Sequence, residues 1–134
     1  MVSRAVVLVV EDHALIRLCA LDLVRAAGFE GIGAKSADEA IAILETRPDI
    51  RVVFTDVEMP GSMDGLKLAH YVRDRWPPIQ LIVVSGRRVL DETTLPSNSR
   101  FFAKPYDDNT IIHELTTILA ASPQDGSGKS QQLS

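Results

Sequence analysis

Hydrophobic residues along the chain form short runs with the period of strands and longer runs with the period of helices, in alternation. Residues 5–10 are a continuous apolar run rich in β-branched side chains, which is typical of a strand covered on both faces. Residues 52–55 and 79–84 have a similar composition, and weaker strand patterns lie at residues 31–34 and 100–103. The pattern therefore predicts five strands.

The segments between the strands carry apolar residues every three to four positions, as the buried face of a helix does. The first helix is expected over residues 13–27, and Gly28 is a favourable C-cap for it. Ser36 and Glu39 form a capping box at the start of the second helix, and Asp107 caps the last one. The predicted inner stripe of the first helix consists of Ile16, Cys19, Ala20, Leu23 and Ala27.

Strands and helices alternate along the chain, which predicts an α/β fold: a doubly wound, five-stranded parallel sheet with helices on both faces. Residues 88–94 have room for only one or two helical turns before Pro96, so the fourth helix is expected to be short or irregular. We expect one domain over residues 1–121 and a flexible C-terminal tail over residues 122–134, which are rich in Ser, Gly and Gln.

Composition and charge exclude several classes of protein. The 134 residues are 46% hydrophobic, which is enough for a sizeable core, and the net charge of −4 without a Lys/Arg cluster disfavours nucleic-acid binding. No apolar run could span a bilayer and no signal peptide precedes the first strand, so we expect a cytoplasmic protein with no membrane partner. The single Cys19 excludes an internal disulfide, and we expect it to be a small core residue.

Chemically useful side chains follow four of the predicted strands. Glu11 and Asp12 follow the first strand, Asp56 the third, Ser85 the fourth and Lys104 the fifth. The carboxyl ends of parallel strands lie at one edge of an open α/β sheet, and ligands bind there. We therefore expect three carboxylates, a hydroxyl and an ammonium group to converge at that edge.

This set of groups suits metal-assisted phosphoryl chemistry. Carboxylates held close together repel each other, and a divalent cation relieves the repulsion. Mg²⁺ prefers such oxygen ligands and shares phosphate oxygens readily. A carboxylate can also act as a nucleophile and form an aspartyl-phosphate, whose charge a metal ion, a lysine and a hydroxyl would stabilise. The sequence therefore predicts a Mg²⁺ site with a phosphate acceptor.

Four blocks of the chain resemble the receiver domains of bacterial two-component response regulators, of the kind found in chemotaxis. They are the Glu11–Asp12 pair after VVLVV, VVFTDVEMPGSMDG around Asp56, VVSG at Ser85 and FFAKPY around Lys104. The resemblance runs from about residue 5 to residue 121 and implies a flavodoxin-like sheet with strand order 2-1-3-4-5. Too little chain follows for an effector domain, so a stand-alone receiver is expected.

The resemblance implies a role for each residue at the strand ends. Asp56 is the expected phosphoacceptor, and Glu11, Asp12 and Asp56 are the expected Mg²⁺ ligands, together with the backbone carbonyl of Glu58. Ser85 resembles the switch hydroxyl that turns toward the phosphoryl group. Lys104 resembles the lysine that pairs with the phosphate.

Four further positions are implied by the same resemblance. Phe101 stands at the place of the switch aromatic, and the peptide bond before Pro105 is expected to be cis. Glu58 and Arg87, each two residues past a site residue, flank the path of the water that hydrolyses the aspartyl-phosphate. We hypothesise that these two side chains form an ion pair over the mouth of the site.

The expected function is that of a phospho-switch rather than an enzyme with an external substrate. A sensor histidine kinase or a histidine phosphotransfer protein would phosphorylate Asp56, and the EMPGSMDG block resembles receivers paired with kinases of the HWE class. The domain would take part in its own phosphorylation and slow autodephosphorylation. Output would come from a changed output face and partner binding, or from draining phosphate off a shared kinase. A monomer or weak dimer is expected.

Two alternative functions stay open at this point. A phosphatase of the haloacid-dehalogenase type also uses an aspartyl-phosphate, but its nucleophile follows the first strand and its second acid is an Asp. A pseudo-receiver would bind a partner without phosphorylation, and the complete set of site residues argues against it.

His13 beside the acidic pair is expected to be a solvated helix residue. A docking patch is expected from three leucines predicted to lie off the inner stripe, Leu15, Leu18 and Leu21.

Overall fold

A computed structural model of the protein describes residues 5–61, 63–86 and 94–120. This part of the chain contains five strands and four helices. In chain order they are β1 Val6–Val10, α1 Ala14–Ala26, β2 Glu30–Ala34, α2 Ala37–Thr46, β3 Ile50–Asp56, α3 Gly65–Arg75, β4 Gln80–Ser85, β5 Ser99–Ala103 and α4 Asp108–Ala120. None of these helices has the length and apolar character needed to cross a membrane.

The five strands form one parallel sheet in the order β2-β1-β3-β4-β5, which confirms the expected doubly wound fold. The register places the strand ends side by side. Val10 at the end of β1 pairs with Thr55 of β3, and Asp56 in turn pairs with Val84 of β4. Ser85 pairs with Ala103 at the end of β5. The residues that follow each strand therefore emerge at one edge of the sheet.

Apolar side chains cover both faces of the sheet, because successive residues of a strand point to opposite faces. On one face, Val6, Leu8 and Val10 belong to a core cluster with residues of α2 and α3. On the other face, Val7 and Val9 pack with residues of α1 and α4. This alternation explains why β1 is apolar throughout: each of its five residues is buried.

Two of the predicted helix ends are confirmed, the end of α1 and the start of α2. Gly28, with a φ of 95°, follows α1, and its N–H donates to the carbonyl of Arg25. The Ser36 hydroxyl accepts a hydrogen bond from the Glu39 N–H at 3.1 Å, and the Glu39 carboxylate accepts one from the Lys35 N–H at 2.7 Å. The end of α1 and the start of α2 thus satisfy backbone groups that a bare helix terminus leaves without partners.

Three predictions for α1 are wrong. Ile16 and Cys19 are exposed rather than part of the core, and Leu21 is buried with only 7% of its surface exposed. The reason lies in β2, where a Cβ added to Gly31 would stand 2.9 Å from Leu21 and one added to Gly33 would stand 3.2 Å from it. These two glycines leave a groove for Leu21, so the helix turns its leucine inward and its cysteine toward solvent.

Several predictions fall on residues outside the described ranges. These are the short fourth helix, apart from Thr94, the position of Arg87 and the C-terminal tail over residues 122–134.

Candidate functional site

The carboxyl edge of the sheet brings Glu11, Asp56, Ser85 and Lys104 together, as predicted. Asp56 and Ser85 end their own strands, and backbone hydrogen bonds extend the ladder past them. The Val57 N–H donates to the Val84 carbonyl at 2.9 Å, and the Lys104 N–H donates to the Ser85 carbonyl at 2.9 Å. The side chains of the site are therefore carried on backbone that the sheet holds rigidly.

Three carboxylates form the acidic part of the site. Glu11, Asp12 and Asp56 each place an oxygen within 4.8 Å of the other two, and Glu11 and Asp56 are buried while Asp12 is exposed. The Oδ1 atom of Asp56 is buried and has no hydrogen-bond partner. Because a buried carboxylate oxygen is costly without a partner, the cluster fits a divalent cation with oxygen ligands.

Among the described residues, Lys104 is the cation that pairs with these carboxylates. Its Nζ lies 3.1 Å from Asp56 Oδ2 and 3.6 Å from Glu11 Oε1. Within the part of the chain that the structure describes, this ammonium group pairs with two of the three carboxylates, so negative charge remains in excess among these side chains. This excess favours the binding of a further cation.

The pKa of Glu11 is raised above its ordinary value, mainly because burial disfavours the charged carboxylate. The hydrogen bond that Glu11 accepts from the His13 N–H at 3.0 Å works in the opposite direction. The charge of Asp56 raises this pKa further, and that of Lys104 lowers it. The fold therefore disfavours the ionisation of Glu11.

Gly65 supports the acceptor, and sequence reasoning did not single it out. A Cβ at Gly65 would stand 1.7 Å from the carbonyl oxygen of Asp56, and its N–H donates to the Val57 carbonyl at 3.0 Å. The first turn of α3 thus packs directly on the backbone of the acceptor. The available signal was the Asp-Gly pair at the start of a helix: Asp64 is the N-cap and accepts from the Lys67 N–H at 2.9 Å.

Glu58 makes contacts that the sequence did not predict. Its Oε2 accepts a hydrogen bond from the Ser85 hydroxyl at 2.5 Å. Its Oε1 accepts one from the Gly86 N–H at 3.1 Å. The side chain of Glu58 therefore contacts the end of β4, whereas the sequence predicted only a metal-binding backbone carbonyl and a side-chain pairing with Arg87.

His13 and Arg17 support the site from its rim. His13 is the exposed N-cap of α1, and its Nδ1 accepts from the Ile16 N–H at 3.4 Å. Arg17 donates to the carbonyl of Glu11 at 2.8 Å. A cavity of about 360 Å³ adjoins the carboxylates, and much of its wall is apolar, with Ile16, Ala20, Phe54, Pro105 and Tyr106 among its lining residues.

The remaining predicted positions are placed as follows. The Lys104–Pro105 peptide bond is cis, as expected. Phe101 is partly buried against the core cluster of the α2 and α3 face. Arg87 is outside the described residues, so its expected pairing with Glu58 stays a hypothesis.

Known proteins are similar to this chain in both sequence and fold. The family described as "Response regulator receiver domain" matches residues 7–116. The chain is 29% identical over 111 residues to response regulator protein FleR of Pseudomonas aeruginosa, covering 81% of this chain and 23% of FleR. It is 40% identical over 128 residues to the hydrogenase transcriptional regulatory protein HoxA of Cupriavidus necator, covering 92% of this chain and 26% of HoxA. The chain thus spans about a quarter of the length of these curated relatives.

Solved structures agree with this fold. A response regulator receiver protein from Sinorhizobium medicae superposes with a TM-score of 0.81 at 24% identity, covering 89% of this chain and 97% of that one. A CheY-like receiver domain protein from Methanospirillum hungatei gives 0.82 at 21% identity, covering 92% and 100%.

The fold and the acidic edge of the sheet define a receiver domain of two-component signalling. The chain belongs to the response regulator receiver domain family, which matches most of its length. Response regulators receive phosphoryl groups from histidine kinases, so the chain is a module of that signalling system.

Proposed function

We propose that Asp56 accepts a phosphoryl group from a phosphohistidine of a kinase or phosphotransfer protein. One observation carries the proposal: Asp56 is buried at a strand end, has one oxygen paired with Lys104 at 3.1 Å, and has its other oxygen without a partner. An ordinary structural carboxylate would have both oxygens satisfied. The rigid sheet backbone holds this carboxylate in place for attack.

In the proposed reaction, a carboxylate oxygen of Asp56 attacks phosphorus and forms a P–O bond. The P–N bond to the donor histidine breaks, and the departing imidazole nitrogen takes up a proton. Lys104, already within reach of Asp56, balances the charge on the transferred group. Ser85 supplies a hydroxyl donor for a phosphoryl oxygen.

We further propose that Glu11, Asp12, Asp56 and the backbone carbonyl of Glu58 hold Mg²⁺. When bound, Mg²⁺ would neutralise negative charge on the phosphoryl oxygens and on the carboxylates. The proposal is supported by the three acidic side chains within 4.8 Å of one another and by the unpartnered Oδ1 atom of Asp56.

We propose that phosphorylation acts on partners in the cytoplasm through the face formed near β4 and β5. The turn of the Ser85 hydroxyl toward the phosphoryl group would be coupled to Phe101, which is only partly buried on β5. A kinase of the HWE class remains one candidate donor. Output to a partner protein and removal of phosphate from a shared kinase are both compatible with this switch.

Replacing Asp56 by Asn tests the acceptor. We expect wild type with Mg²⁺ and a small acyl phosphate to gain one phosphoryl group by intact-protein mass spectrometry. Asp56→Asn should gain none and should keep its circular dichroism spectrum. Asp108→Asn, at an exposed position at the start of α4, is the matched control and should be labelled like wild type. Undiminished labelling of Asp56→Asn would show that another residue is the acceptor.

A further inference from the structure

The Glu58 carboxylate engages both donors at the end of β4. The Ser85 hydroxyl donates to Oε2 at 2.5 Å and the Gly86 N–H donates to Oε1 at 3.1 Å. These two donors lie next to the acceptor, since Asp56 pairs with Val84, one residue before Ser85. We call this arrangement of Glu58, Ser85 and Gly86 the Glu58 latch.

The latch occupies two hydrogen-bond donors that a phosphoryl group on Asp56 would need. A serine hydroxyl has one proton to donate, and so does a backbone N–H. Each of these donors can give its full hydrogen bond to the Glu58 carboxylate or to a phosphoryl oxygen, but not to both. Bonds of this kind to an ionised acceptor are short and are stronger than neutral ones, so their loss has a real cost.

We propose that Glu58 is a positioning residue that competes with the phosphoryl group for Ser85 and Gly86 and so holds the switch hydroxyl in the unphosphorylated arrangement. The inference rests on the proposed function, in which Asp56 accepts the phosphoryl group. Phosphorylation then succeeds in switching only when it draws both donors away from Glu58. The side chain of Glu58 thereby sets how strongly the unphosphorylated state is favoured.

Charge alone offers a different explanation, because a carboxylate near the site also repels an anionic phosphoryl group. Two substitutions separate the effects. Glu58→Asp keeps the charge and shortens the side chain by one carbon–carbon bond, about 1.5 Å. Glu58→Gln keeps the length and removes the charge. Both leave a backbone carbonyl at position 58 available to a metal ion.

The experiment is a calorimetric titration of the Mg²⁺-loaded protein with beryllofluoride, a mimic of the phosphoryl group. We expect Glu58→Asp to bind beryllofluoride about threefold to tenfold more tightly than wild type, since the competing hydrogen bonds are lost. Tighter binding by Glu58→Gln with no change in Glu58→Asp would overturn the latch in favour of charge repulsion. Asp108→Asn is the control for loss of an acidic group elsewhere at this edge and should bind like wild type.

A second background tests the part of Ser85. In Ser85→Ala the hydroxyl is absent, so the gain from Glu58→Asp should shrink markedly. An equal gain with and without the hydroxyl would overturn the proposed competition. Glu58→Asp should bind beryllofluoride more tightly without becoming more stable than wild type. Its free energy of unfolding should not rise, because the variant loses the two hydrogen bonds that the latch contributes to the fold. A purely structural role would lower affinity and stability together.

Exchange of the Gly86 amide proton with water tests the latch without any phosphoryl mimic. The N–H bonded to Glu58 should exchange more slowly in wild type than in Glu58→Asp, measured by nuclear magnetic resonance. Equal exchange rates would overturn the latch alone. Failure of wild type and all variants to bind beryllofluoride, with Gly86 still protected, would instead overturn the proposed function and with it the competition.

Discussion

The backbone around Asp56 leaves no room for a side chain at Gly65, the first residue of α3. Gly65 approaches the acceptor so closely that a Cβ would meet the Asp56 carbonyl oxygen at 1.7 Å and its carbon at 2.6 Å. Both of these atoms belong to backbone within the sheet, which cannot give way as the end of a flexible side chain can. The close approach is what lets the first turn of α3 pack beneath the acceptor.

Replacing Gly65 by Ala should therefore be severely destabilising. We expect a loss of about 3 kcal/mol or more in the free energy of unfolding, because the helix must move away from β3. Denaturant unfolding followed by circular dichroism measures it. Gly86→Ala is the size-matched control, since its Cβ would come no closer than 3.6 Å to any other described residue, and it should cost far less. Similar losses for the two variants would contradict the packing argument.

Glu11 is predicted to lower the stability of the metal-free protein at neutral pH. Its pKa is raised in the folded state, mainly by burial, so the folded state binds a proton more readily than the unfolded state does. The ionised side chain is thus unfavourable above the folded-state pKa, and this penalty fades as the pH falls toward 4.5, the ordinary pKa of a glutamate side chain.

Glu11→Gln removes the ionisable group and should stabilise the fold in the presence of a chelator. The advantage over wild type should be full above the raised pKa and should vanish below about pH 4.5, as wild type becomes protonated. Chemical denaturation across this pH range measures the difference. A variant that is less stable than wild type at neutral pH would contradict the assignment of burial as the main cause.

At the scale of elements, α1 has two different apolar faces. One face packs into the core through Ala20, Leu21, Leu23 and Val24. The other presents Leu15 and Leu18, which are 65% and 56% exposed, near the start of the helix and thus near the acidic edge. Large apolar side chains grouped at one place on a surface are typical of an interaction site.

We therefore predict that α1 contacts the helical phosphodonor through Leu15 and Leu18. Leu18→Asp should slow transfer from a phosphorylated kinase or phosphotransfer protein by about tenfold or more, since the apolar contact is worth about 1.5–3 kcal/mol when buried. Phosphorylation by a small acyl phosphate should be unchanged. Rates of transfer from both donors, measured by gel autoradiography, decide the matter.

Ala26→Asp places the same charge at the exposed far end of α1 and serves as the matched control. It should leave transfer from the protein donor near the wild-type rate. If Leu18→Asp slows both donors equally, the defect lies in the chemistry of the site and docking through α1 is excluded.

At the scale of the whole molecule, the acidic cluster should couple metal binding to folding. An unfolded chain does not hold Glu11, Asp12 and Asp56 together, so Mg²⁺ should bind the folded state preferentially. At 100 times its dissociation constant, a ligand of this kind adds about 2.7 kcal/mol to the free energy of unfolding.

Thermal unfolding with and without Mg²⁺ measures this coupling. We expect Mg²⁺ to raise the melting temperature of wild type and to leave that of Asp12→Ala unchanged, because an acidic ligand is missing. Asp12 is exposed, so its replacement should do little to the fold itself. An equal rise for both proteins would show that the ion binds elsewhere.

Much of the architecture follows from the sequence by itself. Alternating strand and helix periods predict a parallel α/β sheet, because helices must cover both faces of strands such as VVLVV. The site is equally visible, since Asp56, Ser85 and Lys104 directly follow apolar strands and the carboxyl ends of parallel strands share one edge. Periodicity does not say which strands are neighbours, and the strand order came from the family resemblance.

Only the tertiary structure decided the contacts between residues distant in sequence. The groove left by Gly31 and Gly33 draws Leu21 inward, which helical period alone does not reveal. Glu58 reaches Ser85 across 27 positions of the chain, at a distance set by the pairing of β3 with β4. Side-chain pairing at a strand end depends on register and rotamer, and these are settled only when the sheet is assembled and its faces are packed.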